Sequence, residues 1–521
     1  MKVLVSLTGA DGNMGREVLR ELMQNEDINV RILLLDGGAH RRFGRRAKSL
    51  YKKRIEIIYG DISERDTCEK VVKDADYVVN CAAVIPPKSD KFPDLAKKCN
   101  LEGVTELLGA IDRCERKPRL IHISTVALYG NRNYKHPWGR VGDPLLPSVY
   151  DVYAASKMKG ERLVCESGLE YWAVLRQTAM LHNRMLADNM SDGLMFHTCF
   201  NAPLEWVTAQ DSGRLIRKII EKDVAGKNDN FWRRVFNIGG GAENRKTGYD
   251  TFNEGFAIIG GSAEKFMKPG WNTIRNFHGL WFYDGQVLEE LFGYQKQSVA
   301  DYWLDILKKH EYYRIAKIVP PSFISKVAVQ RLLKDPNAPQ KWIDENDKGK
   351  IKAYFGSEEN ILNRPKRWED FYLIAKNRVA DGDIDYENLR NIDAAYENDL
   401  LLSHGYDESK ADSELDIEDM KKAAEFRGGK CLSENMTKGD LYTPLNWECC
   451  DGHKFTATPY TVLKAGHWCP DCQPEPWDYD RLAKKMPFYA QVWYDSHARG
   501  ENYRYYFDGG YHAVLERTEA I

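Results

Sequence analysis

An α/β fold built on a doubly wound parallel sheet is predicted by three observations. The chain opens with a short β-prone run, Val3-Leu4-Val5-Ser6-Leu7, followed by a turn with glycines at positions 9, 12 and 15. An amphipathic helix follows, with Val18, Leu19, Leu22 and Met23 on one face. Further apolar runs then recur, most of them separated by helical stretches, which gives a βαβαβ order and hence a parallel sheet. Finally, the runs at 76–83 and 120–125 end in small or hydroxyl-bearing residues, at the strand ends where open α/β sheets bind ligands.

The first unit, Thr8-Gly9-Ala10-Asp11-Gly12-Asn13-Met14-Gly15, has the strand–turn–helix form of a dinucleotide site. Gly9 permits the turn and Gly12 lets the backbone approach a pyrophosphate. Gly15 lets the helix pack on the strand. Asn13, Met14 and Gly15 open the helix whose unpaired N–H groups would carry the pyrophosphate. The fold expected is thus Rossmann-type.

Val30–Leu35 is the second strand, ending in Asp36 at the spacing where a carboxylate holds the adenosine ribose and repels a 2′-phosphate. NAD is therefore the expected cofactor, while Arg41, Arg42, Arg45 and Arg46 keep NADP open. Ile55–Tyr59, followed by Gly60-Asp61-Ile62, is the third strand. Asp76–Ala83 is the fourth, with Ala82 and Ala83 small enough for a cofactor to lie across its tip. Leu120–Thr125 is the fifth. Tyr153-Ala154-Ala155-Ser156-Lys157 opens a helix. The four-residue spacing puts phenol and ammonium on one face, where the ammonium would lower the Tyr153 pKa.

The length, 521 residues, calls for two to four domains, and 43% hydrophobic residues with 29% charged describe a globular protein. A net charge of -2 gives no global pull toward nucleic acid or an anionic membrane. No run of about 18 apolar residues exists to span a membrane, and the N-terminus enters a strand directly, so no signal peptide is expected. Six cysteines are scattered from Cys68 to Cys199, which suits reduced thiols and a cytoplasmic protein.

Five motifs together resemble the short-chain dehydrogenase/reductase superfamily, specifically its extended branch of NAD-dependent epimerases and dehydratases. They are Thr8 to Gly15, Gly60-Asp61-Ile62, Asn80-Cys81-Ala82-Ala83, Ser124-Thr125-Val126-Ala127-Leu128-Tyr129-Gly130 and Tyr153-Ala154-Ala155-Ser156-Lys157, and the resemblance covers roughly residues 1–310. It implies that Tyr153 is the acid/base, that Lys157 lowers its pKa and holds the nicotinamide ribose, and that Thr125 bonds the reacting oxygen. It also implies that Asp61 contacts adenine.

Trp206–Asp211 and Val235–Gly239 look like the family's late strands. Nucleotide-sugar members usually carry an Arg-Asp pair just before the first of these, where Leu204-Glu205 stands here. Met180, Met185, Met190, Met195, Phe196, Phe200 and Trp206 make the 179–206 segment apolar, suited to core or to an apolar pocket. Residues 296–330 read as helical, broken at Pro320-Pro321, with a packed helix the favoured reading after the break and an amphipathic lid or membrane-surface helix the alternative. Residues 334–425 are charged, and the acidic run 407–419 reads as a solvated linker.

The last five cysteines crowd into 431–472. Cys449, His453, Cys469 and Cys472 are the favoured ligands of a closed tetrahedral zinc site, with Cys450 and Cys431 as alternates. The segment resembles small treble-clef or zinc-ribbon modules that begin with Gly-Gly-Lys-Cys-Leu-Ser, here Gly428 to Ser433. Such a zinc is structural, since four protein ligands leave no open position. Lys/Arg and Asp/Glu balance across 421–475, so nucleic acid is not an expected partner. The tail from Trp493 to Tyr511 suggests a hairpin turning at Asp508-Gly509-Gly510.

The expected organisation is an NAD-binding domain with a small substrate subdomain at 1–315, a helical linker region at 316–425, the zinc module at 426–475 and a tail at 476–521. The expected function is an oxidoreductase moving hydride between NAD(H) and a secondary alcohol or ketone, with an apolar, sterol-like molecule as one candidate substrate. An epimerase with tightly bound NAD is the alternative. A dehydratase is disfavoured because Val126-Ala127 supplies no acid beside Thr125. A dinucleotide-sensing, partner-binding protein is the alternative of another class. Homodimerisation stays open. A chain ending near Glu425 is expected to keep hydride transfer.

Overall fold

The computed structural model describes residues 2–185, 188, 191–228, 230–379, 382, 384–509 and 511–518. Seven strands form one parallel sheet: β1 Val3–Thr8, β2 Ile28–Leu34, β3 Ile55–Tyr59, β4 Tyr77–Asn80, β5 Arg119–Thr125, β6 Trp172–Gln177 and β7 Arg234–Ile238. Their spatial order is β7-β6-β5-β4-β1-β2-β3, so the order reverses beside β1 and leaves a crevice there for a ligand. This is the Rossmann-type α/β fold the sequence predicts.

The strands are apolar on both sides, as a sheet covered on both faces requires. On one face α1 (Asn13–Leu22) lies against the late helix Ala209–Val224. Val18, Leu19 and Leu22 meet a core with Leu215, Ile216, Ile219 and Ile220 over Val5, Leu7, Ile121 and Leu175. A Cβ on Gly213 would come within 2.7 Å of the Glu17 backbone, so the two helices approach as closely as glycine allows.

The opposite face carries Val78, Leu120 and Val174, and its cover comes from two distant parts of the chain. Near in sequence are the helices Arg65–Val72, Gly103–Asp112 and α2 (Val152–Cys165). Far in sequence are Trp447, Tyr460, Leu463, Trp468, Trp477 and Tyr489, all buried in the same apolar cluster. Part of the described stretch 426–518 is therefore packed into the core of the half that carries the parallel sheet. The stretch contributes a three-stranded antiparallel sheet (430–431, 445–448, 454–457) and a hairpin of Tyr503–Phe507 with Ala513–Arg517.

Several local expectations are corrected. The expected strand Trp206–Asp211 runs instead from Pro203 to Thr208. Thr208 then caps a helix by accepting from the Asp211 N–H, because threonine at an N-cap satisfies an orphan donor. The tail hairpin begins only at Tyr503, since Pro487–Trp493 is helical with proline at its first turn. The acidic run 407–419 is largely exposed, as a solvated stretch should be, but several of its carboxylates tie it to the rest of the chain. Glu408 pairs with Arg140 and His404, Asp412 with Lys464, and the fully buried Asp419 with Lys410. Its carboxylates face cations that composition alone does not locate. Of the apolar 179–206 set, Met190 lies outside the described residues.

The helical region after 296 also departs from expectation. Val299–Lys309 buries Tyr302, Trp303 and Ile306, as a packed helix should. The following turns, Glu311–Ile318 (3-10) and Pro321–Ile324 running on to Val329, leave large apolar side chains in solvent.

Candidate functional site

The glycine turn takes the shape its sequence requires. Gly9 sits at φ +63°, and a Cβ there would come within 2.7 Å of the Cys81 backbone. A Cβ on Gly15 would fall 2.1 Å from the Gly9 carbonyl oxygen, so the first turn of α1 presses directly on the loop. The turn closes with the Gly12 N–H donating to Gly9 O at 3.0 Å.

Gly9, Gly12, Asn13, Met14, Gly15, Ala83, Thr125, Tyr153 and Lys157 line one cleft of about 460 Å³ over the carboxyl ends of β1, β4 and β5. The remaining sequence-derived positions do not line it. Asp36 stands at the tip of β2, exposed, with both carboxylate oxygens held by Arg41 at 2.5 and 2.8 Å. This bond keeps the Asp36 carboxyl below its usual range. Asp61 accepts from Ser63 and from Lys98, Ile62 is buried in core, and the Ala82 N–H donates to the Thr8 hydroxyl.

Asp151 caps α2 by accepting from the Ala154 N–H, which aims Tyr153 and Lys157 from the first turns of the helix at the end of β5. Thr125 and the Tyr153 phenol line the same cleft, and the Thr125 hydroxyl acts to lower the phenol's pKa. The expected lowering of the Tyr153 pKa is not realised. Burial pushes the phenol up to about 12, because removing water penalises phenolate more than the neighbouring dipoles favour it. Lys157 is 2% exposed and turned elsewhere: its Nζ donates to Ile123 O at 2.6 Å and lies 3.2 Å from His122 Nε2. Burial brings its pKa down to about 8.

Behind Lys157 runs a buried polar chain that the sequence did not reveal. The Thr8 hydroxyl donates to Asn80 Oδ1 at 2.6 Å, and Asn80 Nδ2 lies 3.2 Å from His122 Nδ1. Burial holds His122 well below its ordinary pKa, so the ring is neutral. The signal available was the strand alternation, which makes His122 an inward-facing polar residue in β5.

A second cavity of about 410 Å³ adjoins the first and shares Asn13, Ile85, Pro86, His182, Thr198 and Trp206 with it. Its walls include Met185, Leu194, Met195, Phe252, Phe256 and Trp303, with Asp188 and Asp192 as the acidic members and no Lys or Arg among the described lining residues. Glu205, where nucleotide-sugar enzymes were expected to differ, is fully buried. Its carboxylate accepts from the N–H groups of Gly240, Gly241 and Phe282. That position is spent on holding loops together.

In the C-terminal part the ligand atoms of Cys449, His453, Cys469 and Cys472 all lie within 4.8 Å of one another. Cys449 Sγ and Cys472 Sγ are 3.5 Å apart, and His453 Nδ1 is 3.4 Å from Cys472 Sγ and 3.7 Å from Cys469 Sγ. The alternates Cys431 and Cys450 are outside this group. The adjoining residues grip α2: Arg162 donates to Trp468 O, and Glu161 takes both Arg176 and His467 in a fully buried cluster.

Residues 5–183 match the sequence profile described as the NAD dependent epimerase/dehydratase family. A curated D-erythronate dehydrogenase from Cupriavidus necator is 27% identical over 137 residues, which are 25% of this chain and 40% of that protein. The chain thus spans two fifths of the length of this relative. Among solved structures, UDP-glucuronic acid 4-epimerase from Bacillus cereus, with UDP-glucuronic acid and NAD, is 22% identical with a TM-score of 0.47. The match covers 59% of this chain and 99% of that one. A dTDP-glucose 4,6-dehydratase double mutant from Streptomyces venezuelae, with NAD bound, is 19% identical with a TM-score of 0.49, covering 61% and 100%.

Proposed function

From the premise that residues 5–183 form an epimerase/dehydratase-family domain, we propose that the protein is an NAD-dependent oxidoreductase acting on a secondary alcohol or ketone. The observation that carries the reading is the convergence of Thr125, Tyr153 and Lys157 with the glycine turn on one cleft. NAD, when bound, supplies the hydride acceptor. Tyr153 exchanges the hydroxyl proton of the substrate and Thr125 holds the reacting oxygen. The raised Tyr153 pKa keeps the phenol protonated at neutral pH, ready to donate to a carbonyl oxygen. Lys157 would hold the nicotinamide ribose once it leaves Ile123 O, and Asp61 would contact the adenine.

The adjoining cavity favours an uncharged substrate with an apolar body. A nucleotide sugar brings a diphosphate, and no described Lys or Arg lines that cavity to receive it. A sugar epimerase retaining its NAD is the second reading, favoured by the family of the N-terminal domain. Absorbance at the reduced-nicotinamide band, followed with sterols, sugars, sugar acids and small ketones, separates the readings. Net reduction or oxidation of an apolar alcohol–ketone pair supports the first. Sugar isomerisation with no net absorbance change supports the second. NAD binding with no conversion of any of them favours a sensor.

For the cofactor, NAD is expected to bind well ahead of NADP, because the Asp36 carboxylate would accept from the ribose hydroxyls and repel a 2′-phosphate. Asp36→Ala frees Arg41 and should narrow the gap by about tenfold or more, read from the ratio of the two dissociation constants. A parent protein that prefers NADP overturns the assignment.

The Cys449–His453–Cys469–Cys472 group fits a structural zinc. Tetrahedral arms of about 2.3 Å to sulfur put neighbouring sulfurs about 3.7 Å apart, close to the 3.5 Å between Cys449 Sγ and Cys472 Sγ. The Asp451 N–H donating to Cys449 Sγ at 3.4 Å is the kind of outer bond that steadies a thiolate. Metal analysis of protein made with zinc available should find one zinc per chain; a metal-free folded protein would count against the site.

A further inference from the structure

Cations and large exposed apolar side chains come together in residues 304–334. Residues 304–334 hold seven Lys/Arg and two Asp/Glu, in a chain whose overall charge is -2. In the 3-10 helix Glu311–Ile318, side chains three apart eclipse, so Tyr312, Ile315 and Ile318 form one stripe. They are 60%, 62% and 84% exposed. On the next helix Phe323 and Val327, four apart, stand on one face at 59% and 53% exposure, while Ser325 and Val329 on the other side are buried. Lys317 and Lys326 flank these stripes and are in no ion pair among the described residues. The helices lie beside the apolar cavity, since Trp303 lines it and Ile324 packs with Met195 and Phe256 of its wall.

We propose that residues 304–334 are a docking surface for an anionic lipid membrane. Aromatic and aliphatic side chains standing in water with lysines at their rim are what an interfacial helix presents to headgroups and acyl chains. The charge decides the occupant. In a two-fold dimer through this patch the excess positive charge would face its own copy, whereas an anionic surface attracts that excess. The claim concerns binding alone and stands whatever the enzyme's substrate is.

The test is co-sedimentation of the full chain with vesicles of phosphatidylcholine, or of phosphatidylcholine with roughly a third phosphatidylserine, at low and raised salt. The protein should pellet with the anionic vesicles, much less with the neutral ones, and less in salt. Ile315→Asp with Ile318→Asp, and separately Lys317→Glu with Lys326→Glu, should each weaken that binding by roughly tenfold or more. Thermal unfolding should be unchanged, because the side chains are exposed. Equal recovery with the two vesicle types, or full binding by both variants, overturns the proposal. So does a parent dimer that the same variants dissociate without any vesicle effect, which would make a second copy the occupant.

Discussion

Tyr153→Phe should lower turnover by roughly 10²–10⁴-fold, the usual contribution of a positioned acid/base group. The lost atom is the phenol oxygen of a residue that lines the cleft together with Thr125 and the glycine turn. The ring remains, and so do the glycine turn and Lys157, which does not depend on the phenol for its bonds to Ile123 O and His122. NAD affinity, measured by fluorescence titration, should therefore stay close to that of the parent. Activity within about tenfold of the parent would show that another group carries the proton.

Ending the chain near Glu425 should abolish folding of the nucleotide-binding half. This reverses what the sequence suggests. The truncation removes Trp447, Trp468 and Trp477, all fully buried, from the core that covers Val78, Leu120 and Val174. Losing a buried tryptophan side chain typically costs about 3–5 kcal/mol, and whole domains are stable by only about 5–15. The deletion also strips His467 from the buried Glu161–Arg176 pair and the Trp468 carbonyl from Arg162. The shortened chain should show no cooperative thermal transition and no NAD binding, whereas the full chain shows both. A soluble truncation that still binds NAD would mean that the N-terminal domain closes its own core.

Much of the nucleotide-binding half was legible because local rules agree there. The β1 run, the turn at Gly9 and the stripe of α1 each specify their own conformation, and the order of elements fixes a parallel sheet. The Cys449, His453, Cys469 and Cys472 cluster was legible because paired Cys and His at short spacing stand out in a sequence, and the fold brings those four side chains together. What was not legible is long-range. Nothing local to Trp468 says that it will lie under α2, and nothing local to Asp419 says that Lys410 will cover it. The environment of Tyr153 was misjudged for a similar reason: helical spacing places Lys157 nearby, but burial and the bond to Ile123 O set what each group does. The His122–Asn80–Thr8 chain joins three strands, so no single stretch displays it.

The bond between Glu161 and His467 joins positions 306 residues apart. Synthesis proceeds from the N-terminus at about 5–20 residues per second, so the nucleotide-binding half waits some tens of seconds for its own cover. During that interval the apolar side of the sheet around Leu120 and Val174 has only its nearby helices as cover on the ribosome. Closing so large a loop adds little equilibrium cost, because loop entropy grows only logarithmically, but it makes folding late and slow. Expression should therefore gain from lower temperature or added chaperones, and premature stop codons even near the 3′ end of the reading frame should yield aggregates.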